Sequence, residues 1–393
     1  MKSNELMKRG LYIIYLAILF MGSDFLIGKF FIDDDNCFKG WPLPPYGPVM
    51  TTDQHQLFER LTDSTKTDYI VYDQYLGWTI GPNRVSDDGM YISNSCGMRS
   101  IEEYANATPK GMTRIAAFGD SFTECAEVRN DEAWPYLLEQ SDARLEVLNF
   151  GVRGYGTDQA WLRYRRDGKP FHPDVVLIGF MLENIRRNVN RYRPVYEHIS
   201  GGLGVKPRFI AGQDGLVLLP NPIPTPQALQ KLIAGGEFFA SLGPHDYWLD
   251  RYAPAFDQKN IWFRSNIMKL SWLLYEKHER NLKRLYQDRE GEPFTITTQI
   301  LKTFYEEALR DGAHYAWIII FPARSDLQDY LDNDSKFWQP LLDFLDQNGI
   351  PYLDPTAKLA QTHRQQSIID AHYNLRGNEI IKGVLLRALQ QKM

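Results

Sequence analysis

Cysteine is scarce in this chain: three residues, Cys37, Cys96 and Cys125, among 393. They lack the paired spacing of a zinc site and are too few to build a disulfide scaffold. An excess of basic charge is also missing. Forty-four Lys+Arg stand against 49 Asp+Glu, a formal net charge of -5, so the overall balance does not draw the chain to nucleic acid. No internal repeat is visible. What is present is the composition of a folded globular protein, with 44% hydrophobic, 24% charged and 13% aromatic residues beside 29 Gly and 22 Pro. That mixture excludes a disordered chain, collagen and a polytopic membrane protein. The length exceeds one average domain of roughly 150 residues, and a chain of this size buries a large core.

The N-terminus carries a targeting or anchoring segment. Lys2, Lys8 and Arg9 precede an apolar run over residues 11–21, and Phe25-Leu26-Ile27 and Phe30-Phe31-Ile32 resume it past Ser23 and Asp24. A spanning helix needs about 20 residues at 1.5 Å each. Asp24 is unfavourable within hydrocarbon, at roughly 2.5–3.5 kcal/mol at mid-membrane, and less so near an interface. The reading preferred is an uncleaved, single-pass membrane anchor. A cleaved signal peptide is the alternative, although no A-x-A site follows, and an interfacial or buried helix is a third. Basic residues before the segment and Asp33-Asp34-Asp35 after it predict the N-terminus inside and the bulk of the chain outside. In an exported chain, Cys37 and Cys96 are the candidates for one disulfide.

Residues 41–48 (Trp-Pro-Leu-Pro-Pro-Tyr-Gly-Pro) read as a stiff linker, because proline lacks the N–H that helices and central strands require. A plausible strand, Tyr69-Ile70-Val71-Tyr72, lies in an otherwise mixed stretch. From Arg114 a strand–helix rhythm begins. Strands are expected at residues 115–118, 145–150, 175–180 and 316–321, with helices from Gly119 to about Gln140, at 159–166, and around 300–310 and 337–347. Such alternation specifies an α/β fold, a parallel sheet flanked by helices on both faces. Between about 190 and 290 the rhythm fails, marking an insertion with long loops and a helix at 267–283. The expected organisation is residues 1–32 anchor, 33–110 linker and extension, 111–190 first half of the core, 191–298 insertion and 299–393 second half of the core.

Two motifs can carry chemistry. In an open α/β sheet ligands bind beyond the carboxyl ends of strands, where Phe118-Gly119-Asp120-Ser121-Phe122 lies. Ser121 at a helix start would combine a nucleophilic hydroxyl with a free backbone N–H; alternatively Asp120 or Ser121 is only a helix cap. Near the other end, Asp370-Ala371-His372 offers a base and a carboxylate to orient it, as a serine nucleophile requires. Taken alone, Asp-x-His is more often structural.

In combination these motifs resemble the SGNH (GDSL) hydrolase superfamily, in an exported or membrane-anchored bacterial form. Gly119-Asp120-Ser121 is similar to its opening block and Asn149-Phe150-Gly151-Val152-Arg153-Gly154 to its second. Asn184 matches the third block's asparagine, and Asp370 and His372 the last. Residues 94–99 (Asn-Ser-Cys-Gly-Met-Arg) and 154–159 (Gly-Tyr-Gly-Thr-Asp-Gln) add to the likeness, which covers about 114–190 and 316–389. The resemblance implies a flavodoxin-like three-layer fold and a serine esterase or deacylase without metal or organic cofactor. Ser121 would be nucleophile, His372 base and Asp370 its orienting acid, with Ser121 N–H, Gly154 N–H and the Asn184 amide as oxyanion donors. The third block departs from Gly-x-Asn-Asp: Glu183 and Ile185 flank Asn184, and Glu183 would repel an anion if it faced inward.

An acylated small molecule, lipid or glycan is the expected substrate. An O-acyltransferase acting on a cell-envelope glycan and a weakly active binding or assembly subunit are the alternatives. Arg186 and Arg187, with Arg191 and Arg193, are candidates for pairing with an anionic group, against the plainer reading of an ion-paired loop. The insertion's aromatics, Phe238, Phe239, Tyr247, Trp248, Trp262 and Phe263, are read as core packing before an acyl or sugar site. Cys125 is read as buried packing.

Overall fold

A computed structural model describes residues 2–46, 68–198, 204–243 and 245–392. Five strands, β1 (Thr113–Phe118), β2 (Leu145–Asn149), β3 (Val175–Met181), β4 (Tyr315–Phe321) and β5 (Tyr352–Leu353), form one parallel sheet in the order β5-β4-β3-β1-β2. The apolar run of β3 follows from this position: between two neighbours and with both faces covered, it has no side on which a polar residue meets water. Alternate residues feed different layers. Ala116, Phe118, Ile178 and Ile318 belong to one buried cluster, and Ile115, Ala117, Leu177 and Ile319 to the other.

The helices that matter here are α1 (Lys2–Phe31), α2 (Ser121–Glu124), α3 (Trp134–Glu139), α4 (Thr157–Arg163), α5 (Asn184–Arg187), α6 (Asn266–Glu279), α7 (Glu292–Arg310), α8 (Arg324–Asn333), α9 (Gln339–Gln347) and α10 (Leu375–Lys392). Helices α4, α7 and α9 supply Trp161, Phe304 and Leu342 to the first cluster; α3, α8 and α10 supply Trp134, Leu327 and Leu385 to the second. The result is a three-layer α/β architecture.

The four expected core strands form, and β5, a two-residue edge strand too short to leave a pattern, joins them. The helix expected from Gly119 to about Gln140 divides. Cys125 adopts φ 65°, a left-handed cap that ends α2, and α3 restarts with Pro135 in its first turn. Cys125 is buried, as expected. The helix expected at 159–166 begins at Thr157 and continues as a π-turn over Tyr164–Gly168.

The proline-rich stretch is not a free spacer where it is described. Trp41–Pro42 pairs with Cys37–Phe38, and buried Tyr46 donates from its hydroxyl to Glu276 Oε2 at 2.6 Å; residues 47 and 48 lie outside the described residues. Cys37 and Cys96, the candidate pair for one disulfide, are both free. Each is held in its own turn instead, Cys37 N–H on Asp33 Oδ1 and Cys96 N–H on Asn94 Oδ1. The expected strand near Tyr69 is one arm of a hairpin, Ile70–Asp73 with Gly77–Ile80.

The 191–298 segment contains a second hairpin, Arg208–Gly212 with Gly215–Leu219, and several helices including α6; α7 already begins at Glu292. Buried charge ties the segment to the sheet layers. Lys206 Nζ pairs with Asp158 at the start of α4, their side chains 4% and 0% exposed. Removing one member of such a pair strands the other without solvent. Lys206→Met is therefore expected to lower stability by about 3–5 kcal/mol in urea titrations, with most of that loss recovered when Asp158→Leu is added.

Candidate active site

Ser121 stands at the carboxyl end of β1, where the chain turns from strand to α2. Asp120 caps that turn: its Oδ1 accepts the Phe122 N–H at 2.9 Å. The turn is pressed against the loop after β2. A Cβ built on Gly151 would lie 2.2 Å from Glu124 N, so only glycine permits this backbone approach. From below, Arg99 donates to Glu124 O and Val128 O, both at 2.5 Å, satisfying the last carbonyl of the short helix and one beyond it. This is the task of the 94–99 motif.

The loop before α10 brings His372 over the turn. Ser121 Oγ and His372 Nε2 are 2.8 Å apart across 251 positions of sequence. Asp370 does not accompany the imidazole. Its side chain is 86% exposed and lies 3.6 Å from Arg324 Nη1, while its backbone N–H donates to His372 O. The carboxylate facing His372 is Glu127, whose Oε2 accepts the His372 backbone N–H at 3.0 Å and whose Oε1 is 3.5 Å from Nδ1. Nδ1 has no closer partner among the described residues. Sequence reasoning missed Glu127; its left-handed φ of 72°, shortly after the Ser121 turn, is visible only in the fold.

These groups border an open cavity of about 500 Å³. Gly154, at φ 79°, is on its wall. Asn184 is fully buried beneath, with its Nδ2 donating to Asp120 Oδ2 at 2.9 Å. Burial raises the Asp120 carboxyl above its usual range, against the lowering influence of Arg187 and of hydrogen bonds from Phe122 and Asn184. Trp78 and Tyr91, from the extension that the sequence left without a role, also line the cavity. The signal available for Trp78 was its place in a hairpin with Gly77 at the turn, but no spacing rule points that hairpin at Ser121.

The arginines separate by position. Arg187 and Arg193 reach the cavity, both engaged with Glu183, at 2.7 and 3.2 Å. Burial opposes ionisation of Glu183, but Arg187, Arg193 and Arg186 outweigh it and hold its carboxyl well below the ordinary range. Glu183 therefore faces the cavity as a neutralised member of an ion cluster. Arg186 is not among the cavity-lining residues, and Arg191 is spent on Leu242 O within the insertion. Of the insertion's aromatics, Phe238, Tyr247, Trp248 and Phe263 are buried in core clusters and Phe239 packs against one; Trp262 is exposed. No group of His, Cys, Asp and Glu with metal-holding geometry occurs among the described residues.

Comparison with models of known families and with curated proteins gives no match. Solved structures similar to the chain include a putative lipolytic protein of the G-D-S-L family from Desulfitobacterium hafniense (13% identity, 70% of this chain and 98% of that one, TM-score 0.33). A lipase/acylhydrolase from Enterococcus faecalis aligns at 13% identity over 72% and 97%, TM-score 0.33. An acetylxylan esterase from Geobacillus stearothermophilus aligns at 11% over 71% and 95%, TM-score 0.32. A functional reading therefore rests on the geometry of the site itself.

One buried carboxyl near this cluster makes stability pH-dependent. Burial raises Asp326, in the first turn of α8, to about 6 from 3.8, although its Oδ2 accepts the Ala323 N–H. A carboxyl raised in the folded state holds its proton there after the unfolded chain has lost it, so folding weakens as pH rises through roughly 4 to 6. Asp326→Asn keeps an oxygen for Ala323 and removes the titration. Its stability advantage over the wild type is expected to grow by on the order of 2–3 kcal/mol between pH 4 and 7 in thermal or urea melts.

Proposed function

We propose that the chain is a serine ester hydrolase of the SGNH type, held by α1 in a bacterial cytoplasmic membrane with its folded domain on the outer side. The observation that carries the chemistry is the 2.8 Å approach of Ser121 Oγ to His372 Nε2 at the edge of an open cavity. A serine hydroxyl becomes an effective nucleophile when an imidazole accepts its proton. Ser121 Oγ attacks the ester carbonyl, His372 takes the proton, and the tetrahedral oxyanion is received by the N–H groups of Ser121 and Gly154 and by the Asn184 amide, which must turn from Asp120 Oδ2 to reach a cavity it does not line in the free chain. Collapse expels the alcohol, protonated by His372, and water then releases the acyl group by the same route.

The imidazole needs an orienting carboxylate at Nδ1. Glu127, at 3.5 Å, is better disposed for this than Asp370, which is turned to Arg324. The acidic partners Glu124 and Glu183 offset the cavity's arginines, and Trp78 and Tyr91 offer flat apolar surface. That lining suits an uncharged acyl ester of a small molecule, lipid or glycan. Helix α1 supports the anchor, since Glu5–Phe31 is long enough to cross a bilayer and contains an 18-residue stretch of mean hydropathy 1.9.

Hydrolysis of a chromogenic acetate ester tests the assignment. Ser121→Ala is expected to abolish turnover and fluorophosphonate labelling, and Asn184→Ala to lower kcat by about 10²–10³. Equal rates in wild type and both variants would refute the site. Candidate glycan acceptors should leave acyl release unchanged, whereas acceptor-dependent release would indicate transfer. Separately, Glu127→Gln should cost on the order of 10²-fold in kcat and move the acidic limb of the pH–rate profile, while Asp370→Asn leaves both nearly unchanged; the opposite order would assign the orienting role to Asp370.

A further inference from the structure

The carboxylate that interrupts the apolar N-terminal segment is fully engaged. Asp24 Oδ1 accepts from Ser265 Oγ at 2.7 Å and from the Ile267 N–H at 2.9 Å, so Asp24 helps to cap the N-terminus of α6. Asn266 Nδ2 donates to Asp24 O, and the same side chain fits against Gly28, where a Cβ would lie 2.4 Å from it. Helix α6 then leads outward along the chain that follows α1. Lys269 Nζ reaches Asn36 Oδ1 at 2.6 Å, and Lys277 and Arg280 lie over the Trp41 ring. The beginning of α6 is therefore its membrane-proximal end.

The depth of the bilayer follows from α1. Only about 22 Å of helix separates Arg9 from Asp24, short of a hydrocarbon core of about 30 Å. Beyond Asp24 the helix continues to present Phe25, Phe30 and Phe31, 65%, 66% and 58% exposed. Lipid therefore extends past the level of Asp24, up to where the first turn of α6 is docked.

Immediately before α6 is the one-turn helix Ile261–Arg264, whose far end is no more than about 14 Å of chain from Ser265. It is a rigid feature. Phe263 is buried against Tyr46 and Ala255, and Asn260 caps the turn through the Trp262 N–H. Outward it presents Ile261 and Trp262, 66% and 64% exposed, flanked by exposed Lys259 and Arg264. An aliphatic residue and a tryptophan bordered by cations, beside a spanning helix, have the chemistry of the headgroup boundary.

We propose that the turn Ile261–Arg264 is seated in the outer headgroup layer beside α1, with Ile261 and Trp262 entering the acyl boundary and Lys259 and Arg264 meeting lipid phosphates. This rests on the anchored reading above. The folded domain is then attached at a second point besides α1, which fixes its tilt relative to the membrane.

Of the nine tryptophans Trp262 is exposed, Trp41 and Trp272 are half-buried and the rest are buried, and α1 contains none, so the difference between wild type and Trp262→Phe reports on this surface. The full chain is reconstituted in phosphatidylcholine–phosphatidylglycerol nanodiscs with and without shallowly brominated acyl chains. The expected result is quenching by bromolipid in the wild type, most of it lost in Trp262→Phe, with Ser121 labelling by fluorophosphonate unchanged. Equal quenching in both proteins, in discs that retain the chain, overturns the proposal and leaves the anchor intact. If Trp262 is protected from bromolipid and also from aqueous acrylamide, a second protein copy covers the turn, and the proposal fails. A chain that does not remain with the discs refutes the anchor itself and the proposal with it.

Discussion

The position of Ser121 depends on backbone segments approaching more closely than side chains allow. The α2 turn is wedged between the loop after β2 and the end of β3, and glycine occurs at the points of contact. A Cβ on Gly119 or Gly179 would fall 2.2 or 2.1 Å from Thr123 Oγ1, and one on Gly151 would meet the backbone of Glu124. Thr123 is thereby clamped against β1 and β3 while Ser121, two residues earlier, faces the cavity. Gly154, three residues after Gly151, lines the same cavity, so a serine hydroxyl and a glycine backbone are brought to one wall by the packing of this loop. His372 needs a second constraint, the fit of the loop before α10. Tyr373 O–H donates to Pro322 O at 2.7 Å and Asn378 Oδ1 accepts the Trp134 N–H at 3.1 Å, tying that loop to β4 and α3.

Charge is handled consistently around this frame. Glu124 is paired with Arg153, Glu183 with Arg187 and Arg193, and Asp158 with Lys206. Bringing such ions out of water is unfavourable, and their value lies less in net stability than in excluding other arrangements of the segments that carry them. Asp158–Lys206 joins the first half of the core to the insertion. Arg208, 1% exposed, donates to Val189 O and His245 O and extends that seam. Asp24 follows the same rule at the other end of the chain, since its carboxylate is satisfied by serine and backbone donors.

Much of the framework was legible in the sequence. The apolar stretches at 115–118, 145–149, 175–180 and 316–321 are short, β-branched or aromatic, and spaced by helical patterns, so periodicity sufficed to place them. Ser121 and His372 were singled out by the resemblance of four ordered motifs, since either motif taken alone reads equally well as a cap or a structural residue. The division of the helix after Glu124 was hidden, because a non-glycine left-handed cap at Cys125 has no sequence signature. The 94–99 motif was visible as a pattern but not as a purpose, since Arg99 acts on carbonyls some 25 to 29 positions away.

By itself, then, the sequence determined the layered α/β plan and the apolar N-terminal helix, because each depends on local periodicity, and through its resemblance to a known family it pointed to Ser121 and His372 as a pair. The tertiary structure alone decided which carboxylate stands beside the imidazole, which arginines reach the cavity and which aromatics remain in solvent. Glu127 and Asp370 are equally acidic on paper. What separates them is the direction in which two loops leave the sheet, and that direction is set by contacts between segments far apart in the chain.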